Sequence, residues 1–288
     1  MAKVETIGPE EYAWRLKTTL GVDASPKEIV EQAHDILAAL GDSLKAQVKA
    51  YSGSSVNTVQ EALAFVMKEQ KRPLVDNDNQ VLDAFKSIHV RIKNFIQEHQ
   101  LFHLGEEAEL LKFHPTPPAF NELAAMANIA APLLDPDAPA FFLIQPDATI
   151  QSLIQAIPLA VHEGIPGHGL QSLWWQTHPE ERAHTVRFLC VPDEVAIARQ
   201  YFGAMMSIEG WATYAEVLMS DYGFFNPAEK LWETWTKIAH ASRVVVDAGL
   251  HTQQLSVPEA VDFLADDAGW PRAWAEGEVI RYRRVPLQ

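Results

Sequence analysis

The chain is nearly without cysteine. Cys190 is the only one, so no disulfide can form within the molecule, which suits a reducing compartment. Cations are scarce as well. Only 23 lysines and arginines stand against 38 aspartates and glutamates, a net charge of -15. That balance argues against nucleic acid or an anionic membrane as a partner; it suits a solvated acidic surface or a cationic ligand. No uninterrupted apolar run reaches the ~18 residues of a membrane span. The opening Met1-Ala2-Lys3-Val4-Glu5 lacks the apolar centre of a secretory signal. A soluble cytoplasmic protein is expected. Its 288 residues, 48% apolar and 21% charged, are enough for a substantial core. With no clear flexible linker and no internal repeat, one domain is expected over 1–288, a helical scaffold over 1–113 and a metal-site region over 114–288.

Helical patterning dominates, so the expected fold class is mainly α. Ser25-Pro26-Lys27-Glu28 is a capping box with proline at the first helical position, followed by Ile29, Ala33, Ile36, Leu37 and Leu40 at helical spacing. Thr58-Val59-Gln60-Glu61 starts another helix, and a third runs from Asn79 to about Gln100 with Val81, Phe85, Ile88, Ile92 and Phe95 on one side. His114-Pro115-Thr116-Pro117-Pro118 breaks the pattern. Ala138 to Pro146 then reads as a short apolar strand bounded by prolines, which places it at a sheet edge. Helix is expected again from Thr149 to Trp174 or Trp175, from Ile197 to Asp221, and from Asn226-Pro227-Ala228-Glu229 to about Gly249, with a further capping box at Ser256-Val257-Pro258-Glu259.

The chemistry gathers in three segments. In Val161-His162-Glu163-Gly164-Ile165-Pro166-Gly167-His168, two imidazoles and a carboxylate fall within seven residues. Neutral imidazole is a preferred zinc ligand, and a glutamate beside a ligand is the general base of H-E-x-x-H metallohydrolases. The spacing here is H-E-x-x-x-x-H, two residues longer. Residues six apart on a regular helix point about 120° away from each other, so one metal can be shared only if the helix is distorted. Pro166 and Gly167 supply the means, and a local kink or bulge is expected there.

Some forty residues on, Glu209-Gly210-Trp211-Ala212-Thr213-Tyr214-Ala215-Glu216 offers the third ligand that a two-histidine site needs. Glu209 and Glu216 are close to two turns apart and share a face. Glu209 is therefore the candidate ligand, while Glu216, with Tyr214 in support, orients a ligand imidazole from behind. The third segment is Arg243-Val244-Val245-Val246-Asp247-Ala248-Gly249-Leu250-His251. Arg243, Asp247 and His251 are spaced by four and share a helix face, the valines facing the core. Its functional reading makes His251 an oxyanion stabiliser fixed by Asp247 and Arg243; its plain reading is a structural helix. His178, His184 and His240 read as ordinary histidines.

Together the three segments resemble the bacterial domain of unknown function 885 family, whose members are zinc-peptidase-like. That family carries H-E-x-x-P-G-H-H-x-Q, then E-G-W-A-x-Y-x-E, then R-x-x-x-D-x-G-L-H, matched here by His162 to Gln171, Glu209 to Glu216 and Arg243 to His251 in the same order. The likeness extends from about Ile7 to the C-terminus. Glu209-Gly210-Trp211-Ala212 also looks like the N-E-G-F-A segment of gluzincin aminopeptidases, in which the glutamate is the third zinc ligand. The resemblance implies a helical metallopeptidase-like domain with a short edge strand or small sheet beside the metal. It implies His162, His168 and Glu209 as ligands and Glu163 as base. Two departures stand out. Gly169 occupies the place of the family's second histidine, and longer members carry more chain before Ile7 and continue past Gln288 into P-G-Q-x-x-x-Y-x-x-G. A partner subunit or homo-oligomer completing the cleft is therefore an expectation too.

The expected activity is that of a mononuclear zinc hydrolase acting on a peptide or small amide, with Glu163 as general base and His251 on the oxyanion. Phe141-Phe142-Leu143 would hold the substrate by edge pairing. Two alternatives stay open: an Fe2+ enzyme using the same His/His/Glu set, and a non-catalytic or half-site subunit.

Overall fold

Ser25 and Ser256 start their helices as the capping boxes predict. In the computed structural model, which describes residues 6–120, 126–131, 135, 137–178 and 205–287, each serine hydroxyl accepts the N–H three residues on. Glu28 and Glu259 accept the serine N–H in return, so two helix-end donors are satisfied reciprocally. The helices are α1 (Pro9–Thr18), α2 (Pro26–Ser52), α3 (Val59–Glu69), α4 (Val81–Glu98), α5 (Ala156–Glu163), α6 (His168–Thr177), α7 (Met205–Asp221), α8 (Pro227–His251), α9 (Val257–Asp262) and α10 (Arg272–Arg284). The fold is mainly helical with one small mixed sheet, and among the described residues no helix is long and apolar enough to cross a membrane.

The chain divides into two compact units, one of Met1–Glu69 with Leu231–Gln288, the other Gln70–Lys230. In the first, α1, α2 and α3 bury Tyr12, Leu16, Leu44, Val48, Leu63 and Val66. In the second, α4 buries Val81, Phe85, Ile88, Ile92 and Ile96 on one face, the period of three to four that its sequence shows. Phe85 meets the edge of Phe142 with ring centroids 5.8 Å apart, docking the helix on the sheet.

That sheet has three strands, β1 (Leu111–Pro115), β2 (Met126–Ile129) and β3 (Ala140–Ile144), in the order β1-β3-β2. β3 pairs parallel to β1 and antiparallel to β2. The strand expected at the edge is therefore the central one. Pro139 and Pro146 lie just outside the 140–144 ladder and remove no hydrogen bond from it. The unbroken apolar run Ala140-Phe141-Phe142-Leu143-Ile144 is the pattern of a strand covered on both faces. Phe141, Phe142 and Leu143 thus have no free edge to offer a substrate; β1 and β2 are the edge strands.

The helix expected over 149–175 is two helices, α5 and α6, preceded by a turn region. The helix expected from Ile197 is described from Met205. Its first residues, with His184 and Cys190, lie outside the described residues.

Candidate metal centre

The break between α5 and α6 resolves the surplus spacing. The last helical bond of α5 runs from the Gly164 N–H to Ala160 at 3.0 Å; the N–H of Gly167 then donates to the Val161 carbonyl at 3.0 Å, and the N–H of Leu170 donates to the Gly164 carbonyl at 3.2 Å. The latter two bonds span six residues where a helix spans four. Two residues are looped out, and His168 returns to the side that His162 occupies. The rings stand 4.8 Å apart at 87°. Glycine is required at the crossing: a Cβ on Gly167 would lie 1.8 Å from the His162 carbonyl oxygen.

α7 supplies the carboxylates. Glu209 Oε2 is 3.6 Å from His162 Nε2 and 3.7 Å from His168 Nε2. Among the described residues these three side chains form the one group able to hold a metal ion, with all ligand atoms within 4.8 Å of one another. Ligands at about 2.1 Å from a tetrahedral zinc are separated by about 3.4 Å, close to the two distances to Glu209. The donor set of two imidazoles and one carboxylate fits zinc and leaves a fourth position open. Glu209 is 54% exposed at its side chain, so solvent reaches the cluster at this carboxylate.

Two turns along α7, the buried Glu216 receives His162 Nδ1 at 2.6 Å. The two glutamates therefore address opposite nitrogens of one imidazole, as their shared helix face predicts. His168 Nδ1 is buried without a hydrogen-bond partner among the described residues, so of the two imidazoles only His162 is braced from behind. The field favours a cation. Burial opposes a charged His162, yet Glu209 and Glu216 outweigh it and push that imidazole up to about 10. The facing His162 and His168 hold the Glu209 carboxyl well below the usual carboxylate range.

Glu163 lines the same cleft as both histidines and Glu209. Burial pushes its carboxyl up, while the two imidazoles pull it the other way. Trp211 has a role that its spacing does not reveal: its indole N–H donates to the Pro166 carbonyl at 2.8 Å. It thereby ties the looped-out turn to the helix that carries Glu209. Gln171 adds a second tie, from its side-chain amide to the Ser207 carbonyl at 3.1 Å. Tyr214 is 53% exposed and rests against Trp211. A Cβ on Gly169 would come 2.8 Å from the Gly164 carbonyl and 3.0 Å from Leu111, so a side chain there is directed into packed core.

The Arg243–Asp247–His251 face belongs to the other unit. His251 is buried, its Nε2 donating to the Tyr282 carbonyl at 2.9 Å and its Nδ1 facing the Ile7 N–H at 3.5 Å. Asp247 accepts the Tyr12 hydroxyl at 2.8 Å and the Leu287 N–H at 3.0 Å. Arg243 lies 3.6 Å from Glu278 and stacks over Trp270, so it pairs away from Asp247. Both nitrogens of His251 are engaged inside its own unit, which leaves no free donor for an oxyanion. Asp247 and His251, one helical turn apart, fasten the first and last described segments of the chain to α8.

The chain belongs to the DUF885 family, described as bacterial protein of unknown function, over residues 2–288. No curated protein matches it. Two solved bacterial proteins share the fold, each described as a "putative lipoprotein". The one from Shewanella oneidensis, of unknown function, is 19% identical with a TM-score of 0.77, over 100% of this chain and 51% of its own. The one from Colwellia psychrerythraea is 20% identical with a TM-score of 0.70, over 96% of this chain and 45% of its own. This chain thus spans about half the length of each. At such identities the likeness is one of fold alone.

Proposed function

We propose that the chain carries a mononuclear, zinc-dependent hydrolase site for peptide or amide bonds. The observation that carries this reading is the looped-out turn closed by Gly167 N–H and Val161 C=O. It converts H-E-x-x-x-x-H into the geometry of H-E-x-x-H and delivers both imidazoles to Glu209. Held by His162, His168 and Glu209, zinc would supply a Lewis acid that brings the pKa of a water to about 7. Glu163, on the same wall of the cleft, accepts the proton of the attacking water and returns it to the leaving nitrogen. Burial raises the pKa of its carboxyl, the direction required of a base that must also give the proton back. Glu216 holds the His162 ring in place throughout. An extended substrate finds a backbone partner in the edge strand β2, whose Met126, Ala127 and Asn128 line the cleft; β2 takes the part that the sequence assigns to Phe141-Phe142-Leu143.

Metal analysis combined with cleavage of a mixed peptide library tests this reading. The expected result is one zinc per chain and cleavage that falls about 10²–10⁴-fold in Glu163→Gln with metal content unchanged. Stoichiometric iron with oxygen-dependent turnover would instead establish the iron reading, and cleavage equal in wild type and Glu163→Gln would remove Glu163 from the mechanism.

A further inference from the structure

The cleft at the candidate metal centre has a volume of about 430 Å3, within the usual range of small-ligand sites. Among its described lining residues, the charged side chains Glu163 and Glu209 and the two imidazoles are already assigned. The rest of the wall is apolar or neutral, and its bulk comes from three directions: Met126 on β2, Trp175 on α6 and Ile208 on α7. Trp175 is seven residues beyond His168 on the same helix, so its indole stands about two turns along the face that presents the ligand imidazole. Ile208 directly precedes Glu209. Trp175 is half-buried, neither sealed in core nor free in water. An apolar side chain entering here displaces water from indole and aliphatic surface.

From this juxtaposition we propose that Trp175, Ile208 and Met126 form a subsite for a bulky apolar side chain next to the scissile bond. The substrates are then peptides or amides with an aromatic or large aliphatic residue at the cleaved position. The proposal rests on the hydrolase reading for the name of the bond, but its subsite is tested by binding and needs no turnover.

The probes are two blocked alanine-based hexapeptides that differ at one central position, phenylalanine in one and serine in the other. Their binding is followed by calorimetry on the full-length, zinc-loaded Glu163→Gln protein. The phenylalanine peptide is expected to bind at least about tenfold more tightly, the scale on which apolar pockets discriminate. Trp175→Ala is expected to erase that ratio and Trp175→Phe to keep most of it. Equal binding of the two peptides, or a ratio unmoved by Trp175→Ala in a protein with unchanged circular dichroism and zinc content, overturns the subsite. Wild-type protein is assayed in parallel for cleavage of the same peptides. Selective binding without cleavage leaves the subsite standing and sinks the hydrolase reading; cleavage without selectivity does the reverse.

Discussion

Nδ1 of His162 lies 2.6 Å from a carboxylate oxygen of Glu216, a residue buried to 4% exposure. That contact fixes the tautomer and the plane of the ring, so that Nε2 is presented toward Glu209. Replacing Glu216 by glutamine keeps the shape and removes the charge. The expected outcome is a loss of zinc affinity of about 10- to 100-fold, read by competition with a chromophoric chelator, with helical circular dichroism intact. Unchanged affinity would show that the contact does not brace a ligand.

Trp211 couples the looped-out turn to α7 through one hydrogen bond to Pro166. Trp211→Phe retains the ring and removes the donor, at a cost of about 1 kcal/mol for a single neutral hydrogen bond. Because that bond links the segment between the histidines to the helix bearing Glu209, zinc affinity is expected to fall several-fold. Urea unfolding of the metal-free protein and zinc titration measure the two effects. A stability loss with unaltered affinity would limit Trp211 to packing.

Much of this was legible in the sequence, and the parts that were not have physical reasons. The capping boxes at Ser25 and Ser256 and the apolar stripe of α4 depend on local spacing alone, and the structure contains them as expected. So does the face shared by Glu209 and Glu216. β1 and β2 are not legible, because five and four residues are too few for an alternation to stand out. Leu111–Pro115 also ends in proline, and Met126-Ala127-Asn128-Ile129 carries alanine and asparagine, which are poor strand formers. The position of β3 depends on which strands pair with it, and flanking prolines do not report that. Spacing placed Asp247 and His251 on one helix face, but not which core the face enters. They are buried in the unit of Met1–Glu69 and Leu231–Gln288.

The Asp247 carboxyl has a measurable signature there. Burial pushes it up to about 6 from an ordinary 3.8, although the Tyr12 hydroxyl, His251 and the Leu287 N–H pull it down. Its Oδ1 has no hydrogen-bond partner among the described residues. The native state therefore holds a proton that the unfolded chain releases between those two values. The resulting stability is present in full below 3.8 and is lost as pH rises through about 6. Asp247→Asn removes this dependence. The stability of wild type relative to the variant is expected to fall by roughly 2–3 kcal/mol between about pH 4 and pH 8, measured by urea unfolding. Parallel pH profiles for the two proteins would contradict this reading of Asp247.

Tyr12 donates the shorter of the two bonds that Asp247 accepts. Tyr12→Phe leaves the buried ring in place and is expected to lower stability by about 1–2 kcal/mol without altering zinc binding, since the change lies in the other unit. Loss of zinc affinity in this variant would tie the two units together functionally.

Zinc titration of the metal-free protein, with stoichiometry and affinity read together, tests the assignment of His162, His168 and Glu209 most directly. One zinc per chain is expected, with binding weakened at least about 100-fold in both His162→Ala and His168→Ala, since each removes a direct ligand. The absence of saturable binding, or binding that both variants retain, would contradict the metal centre itself.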